Sequence, residues 1–168
     1  SKIPNFDDVY PIFRPGGAIG DWFHFEGKQW GIPFTWGIQG VNYDASKIDP
    51  PASYRDLLDP SLKGKIAVTD DIVAGIVIGA HALGIFRPDS LYRPEELDEI
   101  IGFWKTMKAH ARTIVPSFGN MADLFVAGEI VAATPGWAAV NSFAADKGYD
   151  SVKHTVPEEG AATFCDGY

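Results

Sequence analysis

Residues 65–84 read KIAVTDDIVAGIVIGAHALG, a strand pattern followed directly by a helix pattern. The first five residues form a short apolar run that is typical of a strand buried on both faces. Asp70 or Asp71 then provides the N-cap of an apolar helix. This helix is expected to end at Leu83, because Gly84 can adopt the left-handed conformation found at helix C-termini. A strand that passes directly into a helix indicates a βα unit and hence an α/β fold.

The rest of the chain continues this alternation. Pro94 lies at a first helical position, and apolar residues between Leu97 and Met107 recur at helical spacing. We predict further strands at 29–34, 37–43 (separated by a break near Pro33), 113–115, 130–133, 152–156 and 161–164, and further helices at 54–58, 120–127 and 137–147. The pattern therefore predicts a sheet with helices on its faces.

The first 27 residues differ from the remainder. They are rich in proline and glycine and show neither helical nor strand periodicity, so we expect an irregular connecting segment. Six aromatic residues are unusual in a free linker: Phe6, Tyr10, Phe13, Trp22, Phe23 and Phe25. We expect them to pack against a part of the protein that this sequence lacks.

Composition narrows the functional classes. The 168 residues are 46% hydrophobic and 21% charged, which is typical of a globular domain rather than a disordered chain. The formal net charge of −8 argues against nucleic acid or an anionic membrane as the main partner. It is compatible with a cationic ligand, although net acidity is also a common means of staying soluble.

The usual signatures of catalysis and metal binding are absent from the sequence. It has no phosphate loop, no dinucleotide fingerprint, no nucleophile elbow and no H-E-x-x-H motif. The four histidines are widely spaced, and the single cysteine, Cys165, excludes an intrachain disulfide. We therefore expect no metal, no cofactor and no nucleophilic catalysis.

Candidate binding residues follow the predicted strands, since ligands of open α/β sheets collect at the carboxyl ends of strands. The junctions are Thr69–Asp71, 116–120 and 134–137. One aspartate is enough for a helix cap, so the pair Asp70 and Asp71 favours a cationic partner. Trp137, directly after Pro-Gly, can line a binding mouth or belong to the core, and Asp166 adds a carboxylate or simply faces solvent.

Several segments, taken in order, resemble the extracellular solute-binding proteins of ABC importers, and most of all the spermidine/putrescine-binding branch. They are Ile3–Phe6, Gly31–Gly37, Asn42, Ser53–Leu58, Pro60–Lys65, Thr69–Asp71, Gly128–Ile130 and Pro157–Gly160. The resemblance covers most of the chain, and it rests on the ordered set rather than on any single motif.

The resemblance implies a periplasmic-binding-protein-like lobe of type II, with a mixed sheet flanked by helices. Residues 1–27 would be a hinge-proximal segment of the first lobe, and residues 28–168 the second lobe, with most of lobe one missing. The implied partners are a small solute, the membrane permease and the missing lobe, and no nucleic acid. The implied location is periplasmic, or extracellular with a membrane anchor.

The resemblance also implies a ligand site. Polyamine binders of this family hold ammonium groups with carboxylates and place the methylene chain between aromatic rings. Asp71 and Asp166 match the acidic positions, and Phe164 matches an aromatic wall. The family pattern also has a tryptophan at the position that matches Gly136, and Trp137 lies about one position from it. Asp70 and Trp36 complete the candidate set.

One departure from the family pattern concerns the ligand. A second acid is expected three residues after Asp71, where this sequence has Ala74. One ammonium-binding group of the polyamine pattern is therefore missing, and the expected ligand widens to a polyamine or another amine-bearing compound. The alternatives are a different small organic solute, such as a phosphonate or another anion, and a small α/β enzyme with Asp71 and Asp166 as acid and base.

Overall fold

The computed structural model describes residues 5–88 and 92–167. The chain divides into two compact units. The smaller unit consists of Ser1–Gly37 and Thr163–Tyr168, and the larger unit consists of Ile38–Ala162.

The smaller unit contains little regular structure. Apart from residues 33–37 and 163–167, which belong to strands given below, its described part has three short 3-10 turns and a two-stranded antiparallel hairpin, formed by Phe6–Asp8, Pro11–Phe13, Gly20–Phe23, β1 (His24–Phe25) and β2 (Lys28–Gln29). Residues 5–27 thus contain short 3-10 turns and the strand β1, but no α-helix.

Six strands form the main sheet of the described chain: β3 (Pro33–Asp44), β4 (Ile66–Thr69), β5 (Thr113–Val115), β6 (Ala132–Trp137), β7 (Val152–Thr155) and β8 (Ala162–Gly167). Their order is β5-β4-β6-β3-β7, and β8 also pairs with β3. β4 is parallel to β5 and β6, whereas β3 is antiparallel to β6 and β7. The sheet is therefore mixed, as expected.

Four α-helices in the described residues cover the sheet: α1 (Ile72–Leu83), α2 (Pro94–His110), α3 (Phe118–Val126) and α4 (Ala139–Ala145). Alternate residues of β4 serve two different cores, because side chains alternate across a strand. Ile66 and Val68 pack with α1 and α2, while Ala67 packs with α3 and α4. None of the described helices combines the length and apolarity needed to cross a bilayer.

The βα unit at the centre of the sequence analysis forms as predicted. Asp71 is the N-cap of α1, and its side chain accepts a hydrogen bond from the backbone N–H of Ala74. Gly84 ends the helix with a φ of 70°, a conformation that glycine adopts without steric cost. Pro94 begins α2, again as predicted.

Several elements differ from the sequence prediction in their bounds or type. The strand break predicted near Pro33 lies just before it, at residues 30–32, and β3 then runs unbroken from Pro33, because proline as the first residue of a strand removes no ladder hydrogen bond. β6 begins at Ala132 and continues through Trp137, since its Pro-Gly stretch pairs with β3 instead of turning. Helix α4 consequently begins at Ala139, and the helix at Tyr54–Leu58 is a 3-10 helix.

Candidate functional site

Hydrogen bonds hold together the carboxyl ends of three adjacent strands in the larger unit. The backbone N–H of Asp70, after β4, donates to the carbonyl oxygen of Val115 in β5 at 2.9 Å. The hydroxyl of Thr69 donates to the carbonyl oxygen of Pro135 in β6 at 2.7 Å. Both Thr69 and Pro135 are buried, so these bonds fix the strand edge at which ligands of α/β sheets bind.

The two adjacent aspartates at this edge have different environments. One carboxylate oxygen of Asp71 accepts a bond from the N–H of Ala74 at 3.0 Å, and the other accepts one from Nε2 of Gln39 at 3.1 Å. Asp70 is exposed, and within residues 5–88 and 92–167 no hydrogen bond or ion pair involves its carboxylate. Asp71 therefore caps and orients α1, while Asp70 has a carboxylate available for a ligand.

Trp137 lies in an aromatic cluster at the end of β6. Its ring centroid is 5.5 Å from that of Phe118 and 6.2 Å from that of Phe143. Its backbone N–H donates to Oδ1 of Asn42 at 2.7 Å. The indole is only partly buried, so one surface of the cluster faces the outside of this unit.

A fully buried amide determines the backbone position of Trp137. The side chain of Asn42 is fully buried, and its Nδ2 donates to Oδ1 of Asn141 at 3.1 Å. The pairing register between β3 and β6 shifts between Gly40 and Asn42. A Cβ atom on Gly136 would lie 2.5 Å from the backbone nitrogen of Asn42, closer than real atoms approach. Any side chain at residue 136 would therefore force this strand edge to shift.

A histidine completes the buried polar group beneath the strand edge. Nε2 of His154, in β7, accepts a hydrogen bond from the backbone N–H of Gly40 at 3.2 Å. Burial lowers the pKa of His154, and a contact with the backbone of Gly136 only partly opposes this shift. A neutral imidazole can accept the bond from Gly40, so the environment favours the form that the geometry requires.

The six residues predicted to bind a ligand fall in both units. Asp70, Asp71 and Trp137 all lie at the carboxyl-terminal edge of the sheet in the larger unit, where Asp70 and Asp71 line one groove and Trp137 packs against Phe118 and Phe143. The other three belong to the smaller unit: Trp36 on β3, exposed, and Phe164 and Asp166 on β8, partly buried and exposed, respectively.

Ala74, where the family pattern has an acid, contributes no polar group to this edge. Ala74 is 3% exposed and packs in the core between α1 and α2. No group of three or more histidine, cysteine or acidic side chains within the described ranges could hold a metal ion.

Two residues of this edge were not selected from the sequence. Gln39 orients Asp71 from 32 residues away, and its only sequence signal is a polar residue within a predicted apolar strand. Phe118 lies in the predicted junction at 116–120, but the contact of its ring with Trp137 depends on tertiary packing.

Solved structures with the same fold are about twice as long as this chain. The spermidine/putrescine substrate-binding protein PotD of Streptococcus pneumoniae, in complex with calcium and HEPES, gives a TM-score of 0.73 at 18% identity, over 96% of this chain and 49% of that chain. An ABC transporter structure from Clostridium perfringens gives a TM-score of 0.71 at 22% identity, over 99% of this chain and 49% of that chain. The periplasmic binding protein AfuA of Actinobacillus pleuropneumoniae, with fructose-6-phosphate bound, gives a TM-score of 0.68 at 20% identity, over 99% of this chain and 49% of that chain.

These likenesses establish the fold and leave the ligand open, because the named structures differ in the compounds that their descriptions mention. Comparison with curated protein sequences finds no significant match. The family of bacterial extracellular solute-binding proteins matches over residues 1–168, and the chain therefore belongs to that family.

Proposed function

We propose that this chain forms one lobe of the substrate-binding component of an ABC importer. It acts in the periplasm, or outside the cell with a membrane anchor, and delivers a small solute to a membrane permease. Two findings support the proposal: membership of the solute-binding family, and a length about half that of the similar structures. Proteins of this family are binding components of transport systems, so the chain carries out no catalysis.

Exposed aromatic side chains in the smaller unit support the existence of a further part of the protein that covers them. Trp22 is 60% exposed, and Phe25 and Trp30 are each 67% exposed. A contiguous apolar surface of this kind is typical of an interface. We propose that the remaining half of a longer polypeptide packs on this surface and completes the first lobe.

The proposed solute carries an ammonium group. The observation that carries this proposal is the exposed carboxylate of Asp70 at the carboxyl end of β4, with no partner among the described residues. A charge-assisted hydrogen bond to an ammonium group contributes about 1.5–3 kcal/mol, which is more than a neutral bond contributes. Ile72 and Trp104 line the same pocket as Asp70 and provide apolar and aromatic surface for the hydrocarbon part of such a solute or for its charge.

The test is calorimetric titration of the full-length polypeptide with putrescine, butylamine and succinate. We expect the amines to bind and Asp70→Asn to weaken their binding by about tenfold or more. Asp98→Asn is the matched control, because Asp98 is an exposed acid of α2 and is expected to leave the affinity unchanged. Binding of succinate alone, or equal amine affinity in wild type and Asp70→Asn, would contradict the proposed solute class.

A further inference from the structure

A groove in the larger unit begins at the two aspartates and continues between α1, α2 and the edge strand β5. Its volume is about 350 Å³, and its lining includes Asp70, Asp71, Lys105 and Lys108. This volume is within the range of small-molecule sites, which is roughly 300–1,000 Å³.

The walls of the groove are apolar and partly open to solvent. Ile72, Ile101 and Ile114 line it and are 78%, 48% and 44% exposed. Trp104 forms another part of the wall, and its indole N–H donates to the carbonyl oxygen of Gly75 at 2.7 Å. Because this bond joins α2 to α1, the groove is bounded by two helices held in a fixed relation, as a preformed site requires.

Two lysines of α2 lie along one side of this apolar groove. Ile101, Lys105 and Lys108 are spaced by four and three residues, so they share one helix face over about 10 Å. Across residues 5–88 and 92–167, neither lysine forms an ion pair. The full chain is acidic, with 22 acidic residues and 14 basic ones. Two lysines without acidic partners in one groove therefore form a positive site that differs from the overall charge of the protein.

The groove thus combines a carboxylate, an apolar wall and a pair of ammonium groups. We propose that it binds a zwitterionic solute whose amine contacts Asp70 and whose carboxylate, or other anionic group, contacts Lys105 and Lys108. The hydrocarbon part between them packs on the isoleucines and Trp104. This inference rests on the proposed function and narrows its substrate class from an amine to an amine with a distant anionic group.

The experiment compares three probes that share a six-carbon chain: 6-aminohexanoate, hexylamine and hexanoate. Calorimetry on the full-length polypeptide is expected to give an affinity for 6-aminohexanoate at least tenfold higher than for either of the others. In the double variant Lys105→Met and Lys108→Met, the affinity for 6-aminohexanoate is expected to fall to that for hexylamine, while hexylamine binding stays unchanged. Methionine keeps an apolar stem of similar length, so the variant removes charge with little change in packing.

A matched control removes two lysines outside the groove. Lys63 and Lys65 are exposed and precede β4, at the opposite end of the strand from Asp70. The double variant Lys63→Met and Lys65→Met changes the net charge by the same amount and is expected to bind all three probes like wild type. Circular dichroism and thermal melting of both double variants check that the fold is retained.

The outcomes separate this inference from the proposed function. If hexylamine and 6-aminohexanoate bind equally tightly and the Lys105/Lys108 variant changes neither, the zwitterion inference is overturned while the amine receptor stands. If no amine binds, both are overturned. NMR spectra of ¹³C-methylated lysines provide a second readout, because 6-aminohexanoate, but not hexylamine, should shift the signals that disappear in the Lys105/Lys108 variant.

Discussion

Asp44→Asn is expected to remove a pH-dependent contribution to stability that comes from one buried carboxylate. Asp44 ends β3 and is fully buried. Its carboxylate accepts hydrogen bonds from the backbone N–H and the hydroxyl of Ser46, at 3.1 and 2.6 Å, and from the hydroxyl of Tyr149 at 2.5 Å. Nζ of Lys47 forms an ion pair with it at 2.9 Å.

The size of this contribution follows from the pKa of Asp44. Burial alone would raise that pKa, but the bonds from Ser46, Tyr149 and Lys47 together outweigh burial and lower the pKa to about 2. An aspartate in an unfolded chain titrates near 3.9, so the difference corresponds to roughly 2–3 kcal/mol. Because the folded-state pKa is the lower one, this stability is complete above about pH 5 and is lost as the pH falls through 4 towards 2.

The assay is urea unfolding of wild type and Asp44→Asn, followed by circular dichroism at several pH values between 7 and 2.5. The gap in unfolding free energy between the two proteins is expected to be largest at pH 7 and to shrink by roughly 2 kcal/mol at the acid end. A gap that stays constant across this range would refute the reasoning. The exposed Asp98→Asn variant is the control and should stay within about 0.5 kcal/mol of wild type at every pH.

Three further predictions concern the strand edge that carries the candidate site. Asn42→Ala should lower the unfolding free energy by about 2–4 kcal/mol in urea titrations, because it removes the Asn42 side chain that bonds to the N–H of Trp137 and to the amide of Asn141. A loss below about 1 kcal/mol would show that these hydrogen bonds are dispensable. Gly136→Ala should destabilise by more than about 1 kcal/mol, since its Cβ would lie 2.5 Å from the nitrogen of Asn42, and a melting temperature equal to wild type would contradict this close approach. Asp71→Ala should cost about 1 kcal/mol through the lost helix cap, whereas Asp71→Asn should cost less, because asparagine is also a good cap; equal losses in thermal melts would exclude capping as the main role of this side chain.

The fold could be predicted where local pattern and tertiary structure agree. The run from Lys65 to Gly84 contains its own strand, N-cap and helix stop, so the sequence identified the β4–α1 unit with its caps. The end of β6 could not be predicted in this way. Pro135 and Gly136 have the local pattern of a turn, but pairing of Gly40 with Gly136 and of Gln39 with Trp137 extends the strand through them. Tertiary pairing outweighs local propensity there, and the sequence around residue 136 contains no sign of that pairing.

The choice between Asp70 and Asp71 shows why the site was harder to predict than the fold. The two residues are adjacent and chemically identical, and the family resemblance points to Asp71 as a ligand group. In the structure, both oxygens of Asp71 accept hydrogen bonds, one of them from Gln39, while Asp70 is exposed. A carboxylate that already accepts two bonds gains less from an ammonium group than an unpartnered one, because it must share or exchange existing contacts. Asp70→Asn should therefore weaken amine binding more than Asp71→Asn, and the reverse order in calorimetry would mean that Asp71 gives up its bond to Gln39 when the ligand binds.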